Sequence, residues 1–358
     1  MKDRPIRLLQ LEGDPGHRGA VHGAAYHNEI RRYTAERVRL SVNGSWAGRP
    51  AAPGDALELA EAMLPAHQMY APDLFEEMTL LAAAAGISPA EATIVGGFTD
   101  FVDTVRSLGA VPAVEEDDCT AVLVPPQATD DGALFGQTWD MHDSATEHVT
   151  LLRIVPDDGP EALLFTTVGC LGQIGLNSAG IAVGINNLVA AEGKLGVTWP
   201  FVVRKALQQT DIDAALLCVL EADLAGAHNY LLIDASGIGY NVEAMPDYRA
   251  VTALATEPLI HTNHCLDPEA QKREAARPAD LVASSIARLE KATELMKARP
   301  LSVSDLMAMT REPEAICRWS TPPYHNESSG AAIMSPRTGE FWACWGVPAD
   351  NEYEEFRV

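Results

Sequence analysis

Basic residues are scarce in this chain. Lys and Arg number 26 against 50 Asp and Glu, leaving a formal charge of −24. Nucleic-acid binding rests on neutralising phosphates with Lys and Arg, so the balance argues against a nucleic-acid partner. It also weighs against polyanionic small molecules, unless a local basic pocket receives them. Long apolar runs are missing too, and none approaches the roughly 20 residues of a membrane span. The start, MKDRPIRLLQLEGDPG, has no apolar h-region and no small-residue cleavage pattern, so it does not read as a signal peptide. These absences predict a cytoplasmic protein with no membrane partner. CxxC pairs are absent as well. The six cysteines, at 119, 170, 218, 265, 317 and 344, are scattered, which excludes a disulfide framework or a zinc ribbon. Most read as small buried hydrophobes, Cys218 in AALLCVL above all. There is no internal repeat and no low-complexity segment.

What is present is enough to build a core. The 358 residues are 47% hydrophobic, sufficient for one large domain or two small ones. The first third reads as helix. Residues 22–42 and 56–86 carry apolar positions at three- and four-residue spacing, interrupted by prolines. SLGAVPAVEEDD, residues 107–118, breaks that pattern and predicts an exposed acidic loop. Strands follow. CTAVLVPP and ALFGQTWDM flank the turn signal TDDG, and HVTLLRIVP and EALLFTTVG flank DDGP, so both pairs read as hairpins. GIAVGINN, HNYLLIDAS and IGYNVEA continue the strand pattern. Helical patterns cover 200–222 and 275–298, and AAIMSP and GEFWACWGV read as closing strands. Helices and hairpins come in blocks rather than in strand–helix alternation, which predicts an α+β fold.

The most informative stretch is EEDDCTAVLVPP, residues 115–126. Four acids run directly into Cys119, and a strand begins there. A thiol is a good nucleophile at neutral pH once its proton affinity is lowered. No GxSxG elbow and no papain-like signature surrounds this one. Cleavage of the 118–119 bond would give Cys119 an α-amine that titrates near roughly 8, so one residue would supply nucleophile and base. Before cleavage the same thiol can attack the Asp118 carbonyl and form a thioester that water opens. The residues alone leave the alternative of a strand-edge cysteine open.

Other clusters have competing readings. HTNHC, residues 261–265, offers His261, His264 and Cys265 to a metal, yet no fourth ligand is evident and zinc calls for one. A strand end with polar caps explains it more simply, and Asn263 there can donate to an oxyanion. GCLGQIGLNSAGIAVGINNL, residues 169–188, tempts a phosphate-loop reading. It has neither the Lys-Ser/Thr of a P-loop nor GxGxxG, and hairpin turns account for its glycines. Arg318 in ICRWS lies between apolar neighbours. It is either a snorkelling surface residue or a site residue, because a buried guanidinium needs a partner.

Together, RGAVHGAAYHNEI, DDCTAVLV, GALFGQTWDMH, GQIGLNSAGIAVGINNL, HTNHC, ICRWS and GEFWACWGVPADNEYEEF resemble the acyl-coenzyme A:6-aminopenicillanic acid acyltransferase family, the isopenicillin N acyltransferase-like branch of the N-terminal-nucleophile hydrolases. The stretches follow the family's order over nearly the whole chain. The resemblance implies a four-layer αββα sandwich and self-cleavage between Asp118 and Cys119. That gives an α chain of 1–118 and a β chain of 119–358 that stay associated as one globular unit. It implies Cys119 as nucleophile with its own α-amine as base, and Asp140 as the residue holding that amine. Asn263 would offer its side-chain amide to the oxyanion, and Asn187 would donate there through its backbone N–H. Arg318 would lie beside the thiol and favour its anion. No cofactor and no metal is implied. The related bile-salt hydrolase and penicillin V acylase branch differs. There the cysteine follows the initiator Met and an Arg stands three residues before the Asp, where this chain has Gln137.

Three functions follow as expectations. The first is a self-processing cysteine amidohydrolase that acts on a small N-acyl amide through a Cys119 thioester. The second is an acyltransferase that passes the same acyl group to an amine, from an amide or from acyl-coenzyme A. Residues 1–118 carry a net charge of −8 and residues 119–358 one of −16, and neither half offers a basic surface for coenzyme A, which favours the hydrolase. The third is an uncleaved, silent binding protein, which the intact Cys119, Asp140, Asn263 and Arg318 set speaks against. The partners expected are a small acyl donor and the two chains for each other, and a homo-oligomer is compatible with the sequence. Trp139, Tyr324 and Trp345 are either pocket walls or core.

Overall fold

The computed structural model describes residues 4–44, 46, 48, 50–107 and 118–358. The acidic loop expected at 107–118 falls, except for Ser107 and Asp118, outside the described residues. In chain order the elements begin with β1 (Leu8–Gly13), α1 (Pro15–Ala25), α2 (His27–Val42), α3 (Pro53–Tyr70), α4 (Pro72–Ala85), α5 (Pro89–Gly96) and α6 (Phe98–Ser107). After the loop come β2 (Cys119–Val124), β3 (Leu134–His142), β4 (Val149–Pro156), β5 (Ala162–Thr167), β6 (Ile174–Asn177) and β7 (Ile181–Asn187). α7 (Trp199–Leu207), α8 (Ile212–Leu220), β8 (His228–Asp234), β9 (Gly239–Met245), β10 (Tyr248–Ala253) and β11 (Leu259–His261) follow. The chain closes with α9 (Pro268–Gln271), α10 (Ala279–Leu295), α11 (Val303–Thr310), β12 (Asn326–Ser335), β13 (Glu340–Trp345) and β14 (Tyr353–Arg357).

The strands form two sheets. One runs β1-β4-β5-β6-β7-β8-β9-β10 and the other β11-β2-β3-β12-β13-β14. Both expected hairpins are present as the antiparallel pairs β2–β3 and β4–β5. The strand missing from the sequence reading of the first third is β1, which pairs parallel with β4. Its six residues lie far in sequence from their partner, so no local turn signal announces it. Pro65 lies inside α3 without ending it.

The two sheets pack face to face, and glycines set the distance. A Cβ at Gly184 of β7 would lie 2.1 Å from the Phe135 ring of β3, and one at Gly330 of β12 would lie 2.4 Å from the Phe165 ring of β5. Gln137 bridges the sheets, with its side-chain oxygen accepting from the Ile185 N–H at 3.1 Å. Alternation along β2 then assigns its faces. Cys119, Ala121 and Leu123 join the inter-sheet core, while Val122 and Val124 join a second core with Ala292 of α10 and Leu306 and Met309 of α11. α10 and α11 therefore cover the six-stranded sheet. α7 covers the other sheet, with its Leu207 carbonyl accepting from Asn177 at 3.0 Å. The result is the expected αββα sandwich. Among the described residues no single helix is long and apolar enough to cross a membrane.

α6 is tied firmly into this body. Asp103 of α6 accepts from the backbone N–H groups of Ala190 and Ala227 at 3.1 and 3.2 Å, and Asp100 accepts from that of Trp199 at 2.7 Å. With β1 in the larger sheet, core strands come from both sides of the 118–119 junction.

Candidate active site

The junction sits at the start of β2, at one end of the sandwich. β2 lies between β3 and β11, with Cys119 opposite Trp139 and Ala121 opposite His261. The site residues reach the junction because these neighbours end there. Asp140 follows Trp139 on β3, and Asn263 lies two residues beyond the end of β11. Asn187 closes β7 in the other sheet.

The 118–119 peptide is held on both sides. Its nitrogen, the Cys119 N–H, donates to Asn263 Oδ1 at 2.7 Å. Its oxygen, the Asp118 carbonyl, accepts from the Asp140 backbone N–H at 2.9 Å. Asn263 turns its Nδ2 to the Asn187 carbonyl at 3.0 Å, a contact that spans the two sheets. Asn187 therefore meets Asn263 through its carbonyl. The Asn263 loop is fixed in turn by Ser285 of α10, whose Oγ accepts from the Asn263 N–H at 2.9 Å. His261 pairs with Glu243 at 2.9 Å, and Glu243 also accepts from the Leu266 and Asp267 N–H groups. HTNHC is thus a strand end braced by a carboxylate. Burial and positive neighbours lower the His264 ring to about 4, so it is neutral at pH 7.

The residue that sequence reading missed is Arg288. It is completely buried on α10. Its guanidinium donates to the Cys119 carbonyl at 2.5 Å, to Thr120 Oγ1 at 3.3 Å, to Asp118 Oδ1 at 2.7 Å and to Asn263 Oδ1 at 3.0 Å. A signal existed. Leu281, Ser285, Arg288 and Ala292 share the buried stripe of α10, so a hydroxyl and a guanidinium occupy apolar positions of a helix. Arg318 makes an ion pair with the other Asp118 oxygen and donates to Ser284 Oγ at 3.1 Å. Its contact at the junction is thus with Asp118. Burial lowers the proton affinity of the guanidinium from its usual value.

Asp118 is therefore a buried carboxylate between two guanidinium groups, and Cys119 is 1% exposed. Asp140 is fully buried on β3, opposite Ser328. Burial pushes its carboxyl up to about 7, against the pull of the Arg288 charge and the Ser328 and Thr138 hydroxyls. Outside, an open depression of about 370 Å³ reaches Arg318, lined by Ser284, Ala287, Glu314, Cys317, Arg318 and Trp319. Trp345 lines a separate cavity, Trp139 lies in the core, and Tyr324 donates to Asp280 at 2.9 Å. The glycines of 169–172 form the turn between β5 and β6, where the Gly169 N–H donates to His22 at 3.2 Å.

Comparison with known proteins agrees with the sequence reading. Residues 127–350 match the family model for acyl-coenzyme A:6-aminopenicillanic acid acyl-transferase. This span begins beyond Cys119 and contains Asp140, Asn187, Asn263, Arg288 and Arg318. The chain is 27% identical over 269 residues to the 40 kDa form of acyl-coenzyme A:6-aminopenicillanic-acid-acyltransferase of Emericella nidulans, covering 74% of this chain and 71% of that protein. It is 27% identical over 209 residues to an uncharacterized protein of Archaeoglobus fulgidus, covering 54% of this chain and 34% of that one. Among solved structures, a conjugated bile acid hydrolase from Clostridium perfringens aligns with a TM-score of 0.45 and 10% identity, over 67% of this chain and 97% of that one. Penicillin V acylase from Agrobacterium tumefaciens aligns with a TM-score of 0.37 and 11% identity, over 63% and 83%.

Proposed function

We propose, for a chain that belongs to the acyl-coenzyme A:6-aminopenicillanic acid acyl-transferase family, that it is a self-processing amidohydrolase whose nucleophile is Cys119. The observation that carries this is the two-sided grip on the 118–119 peptide, with Asn263 on its nitrogen and the Asp140 N–H on its oxygen. Any buried peptide has its N–H and C=O paired; what sets this one apart is that the nitrogen meets a side-chain amide rather than a strand carbonyl.

In maturation the Cys119 sulfur adds to the Asp118 carbonyl carbon. The charge developing on the carbonyl oxygen meets the Asp140 N–H, a donor fixed by the β2–β3 ladder before the reaction begins. The C–N bond breaks, the thiol proton ends on the departing nitrogen, and a thioester joins Asp118 to Cys119. Water then opens the thioester. This leaves Asp118 as a carboxylic acid and Cys119 with an α-amine beside Asn263 Oδ1 and near Asp140. In turnover that amine takes the thiol proton and delivers it to the leaving amine of an N-acyl substrate. The Asn263 amide, released from the Asn187 carbonyl, becomes the side-chain donor to the substrate oxyanion, and Asn187 assists from the facing sheet.

A second reading is supported by the family's name and by the Emericella nidulans relative, an acyltransferase. In it an amine, rather than water, opens the acyl-enzyme. Denaturing intact-mass spectrometry of fresh protein tests the shared premise. Two species, one beginning at Cys119, are expected. A single uncut mass after prolonged incubation would remove the nucleophile assignment. An amine-acceptor assay on the trapped thioester then separates the two readings.

A further inference from the structure

The group that first occupies the acyl side of Cys119 is part of this chain. In the thioester formed during maturation, the acyl group on the sulfur is the aspartyl residue 118. In the thioester formed during turnover, the acyl group on the same sulfur is the substrate's. Water opens both. The surroundings of Asp118 in the uncut protein therefore describe a subsite within reach of an acyl group attached to Cys119.

Those surroundings are specific. Asp118 and Thr120 lie on the same face of β2, toward α10, as strand alternation requires. There the Asp118 carboxylate is completely buried between Arg288, at 2.7 Å, and Arg318. Arg318 is itself 28% exposed and forms part of the lining of the open depression of about 370 Å³, so this side of the junction has a route from solvent. When Asp118 departs, Arg288 keeps its contacts to the Cys119 carbonyl, Thr120 and Asn263, Arg318 keeps its contact to Ser284, and the carboxylate between the two guanidinium groups is gone.

We infer that the mature enzyme takes an acyl group that itself bears a carboxylate two carbons from the reacting carbonyl, a succinyl-type acyl group, and holds that carboxylate between Arg288 and Arg318. The spacing is that of the aspartyl side chain it replaces. The inference rests on the reading of Cys119 as the acyl-accepting nucleophile. The chemistry balances as in maturation: the sulfur–carbon bond forms, the carbon–nitrogen bond breaks, the thiol proton leaves with the amine, and water returns the thiol and a dicarboxylic acid. The strongly negative chain does not oppose an anionic acyl group here, because the attraction comes from two local guanidinium groups in a buried setting.

The test compares N-succinyl-4-nitroanilide with N-butyryl-4-nitroanilide on protein incubated until cleavage is complete. The two share a leaving group and an acyl chain length and differ in a terminal carboxylate against a methyl. The expected kcat/KM ratio favours succinyl by about 10- to 100-fold, the range of a charge-assisted hydrogen-bonded contact. In Arg318→Gln the ratio should fall toward unity, whatever happens to the individual rates. If that variant does not mature, the wild-type ratio decides. Hydrolysis of the butyryl anilide that needs Cys119 and is as fast as that of the succinyl anilide overturns the inference and leaves the amidohydrolase reading standing. Failure of both anilides to acylate Cys119 in acid-quenched mass spectra overturns both.

Discussion

The Asp140 backbone N–H donates to the Asp118 carbonyl oxygen at 2.9 Å, one step beyond the Cys119–Trp139 pair of the β2–β3 ladder. In the proposed self-cleavage, a hydrogen bond that continues a sheet thus doubles as a donor aimed at the carbonyl to be polarised. The Asn263 amide group, by contrast, faces the scissile nitrogen through its oxygen. In that mechanism maturation and turnover draw on different donors, and several consequences can be measured.

Cys119→Ala should remain a single 358-residue chain. Cys119→Ser should cleave more slowly than the parent, since a hydroxyl is the poorer nucleophile at neutral pH. Intact mass over hours reads both. Two fragments from the alanine variant would refute self-cleavage by this thiol.

Arg288→Met, made in the uncut Cys119→Ala background, should cost about 3–5 kcal/mol, because it leaves the Asp118 carboxylate in the interior with one of its two cations gone. Adding Asp118→Asn should restore much of the loss, since the buried charge then disappears with its partner. Urea denaturation of the four proteins gives the coupling. Additive losses would mean that the two residues act independently.

Local chemistry made part of this site legible in the sequence. Cys119 stands where an acidic run meets a strand, and the strand's alternation turns it toward the inter-sheet core. Asn263 lies in a motif next to a strand that the pattern also reveals, whereas Asp140 was reached only through the family resemblance. Arg288 was hidden because its helix looks ordinarily amphipathic unless the two polar residues on its apolar stripe are counted against it. β1 was hidden because a parallel edge strand has no turn to mark it and its partner, β4, lies more than 130 residues away. The Asn263–Asn187 contact between sheets has no sequence signature, since it depends on how closely glycines such as Gly184 let the layers approach.

Asp140 gives a pH signature. Burial raises its carboxyl from 3.8 to about 7 in the folded protein. An acid with a raised folded value contributes its full stability below the unfolded value and loses it as pH rises through the folded one. In the Cys119→Ala background the parent should therefore lose stability relative to its Asp140→Asn derivative between about pH 4 and 7. Thermal or urea unfolding across that window measures the difference. Parallel curves would mean that Asp140 is not the titrating group.

Gly19 on α1 tests the packing of the first 107 residues. A Cβ there would lie 2.0 Å from the Glu77 carbonyl oxygen of α4, a backbone atom that cannot step aside. Glu77 also holds Arg18 and Arg204 in a buried ion triad, at 2.9 Å for each closest contact. Gly19→Ala should therefore destabilise the uncut protein by about 3 kcal/mol, through overpacking and a displaced Glu77. A melting temperature unchanged from the parent would show that the two helices can separate without cost.

Asn263 separates the two stages of the proposed mechanism, because its two side-chain atoms serve different partners. Its Oδ1 accepts from the scissile N–H and from Arg288, while its Nδ2 is held in reserve on the Asn187 carbonyl. Asn263→Asp keeps an acceptor at the first position and removes the donor at the second. It should mature at a rate within about tenfold of the parent, yet turn over N-acyl anilides about 10²–10³ more slowly, the usual cost of losing one oxyanion donor. Asn263→Ala removes both and leaves a buried N–H without its acceptor, so it should mature slowly as well. Mass spectrometry follows the first stage and anilide hydrolysis the second. If the aspartate variant turned over normally once cleaved, the oxyanion donor would have to be sought elsewhere, first at the Asn187 backbone.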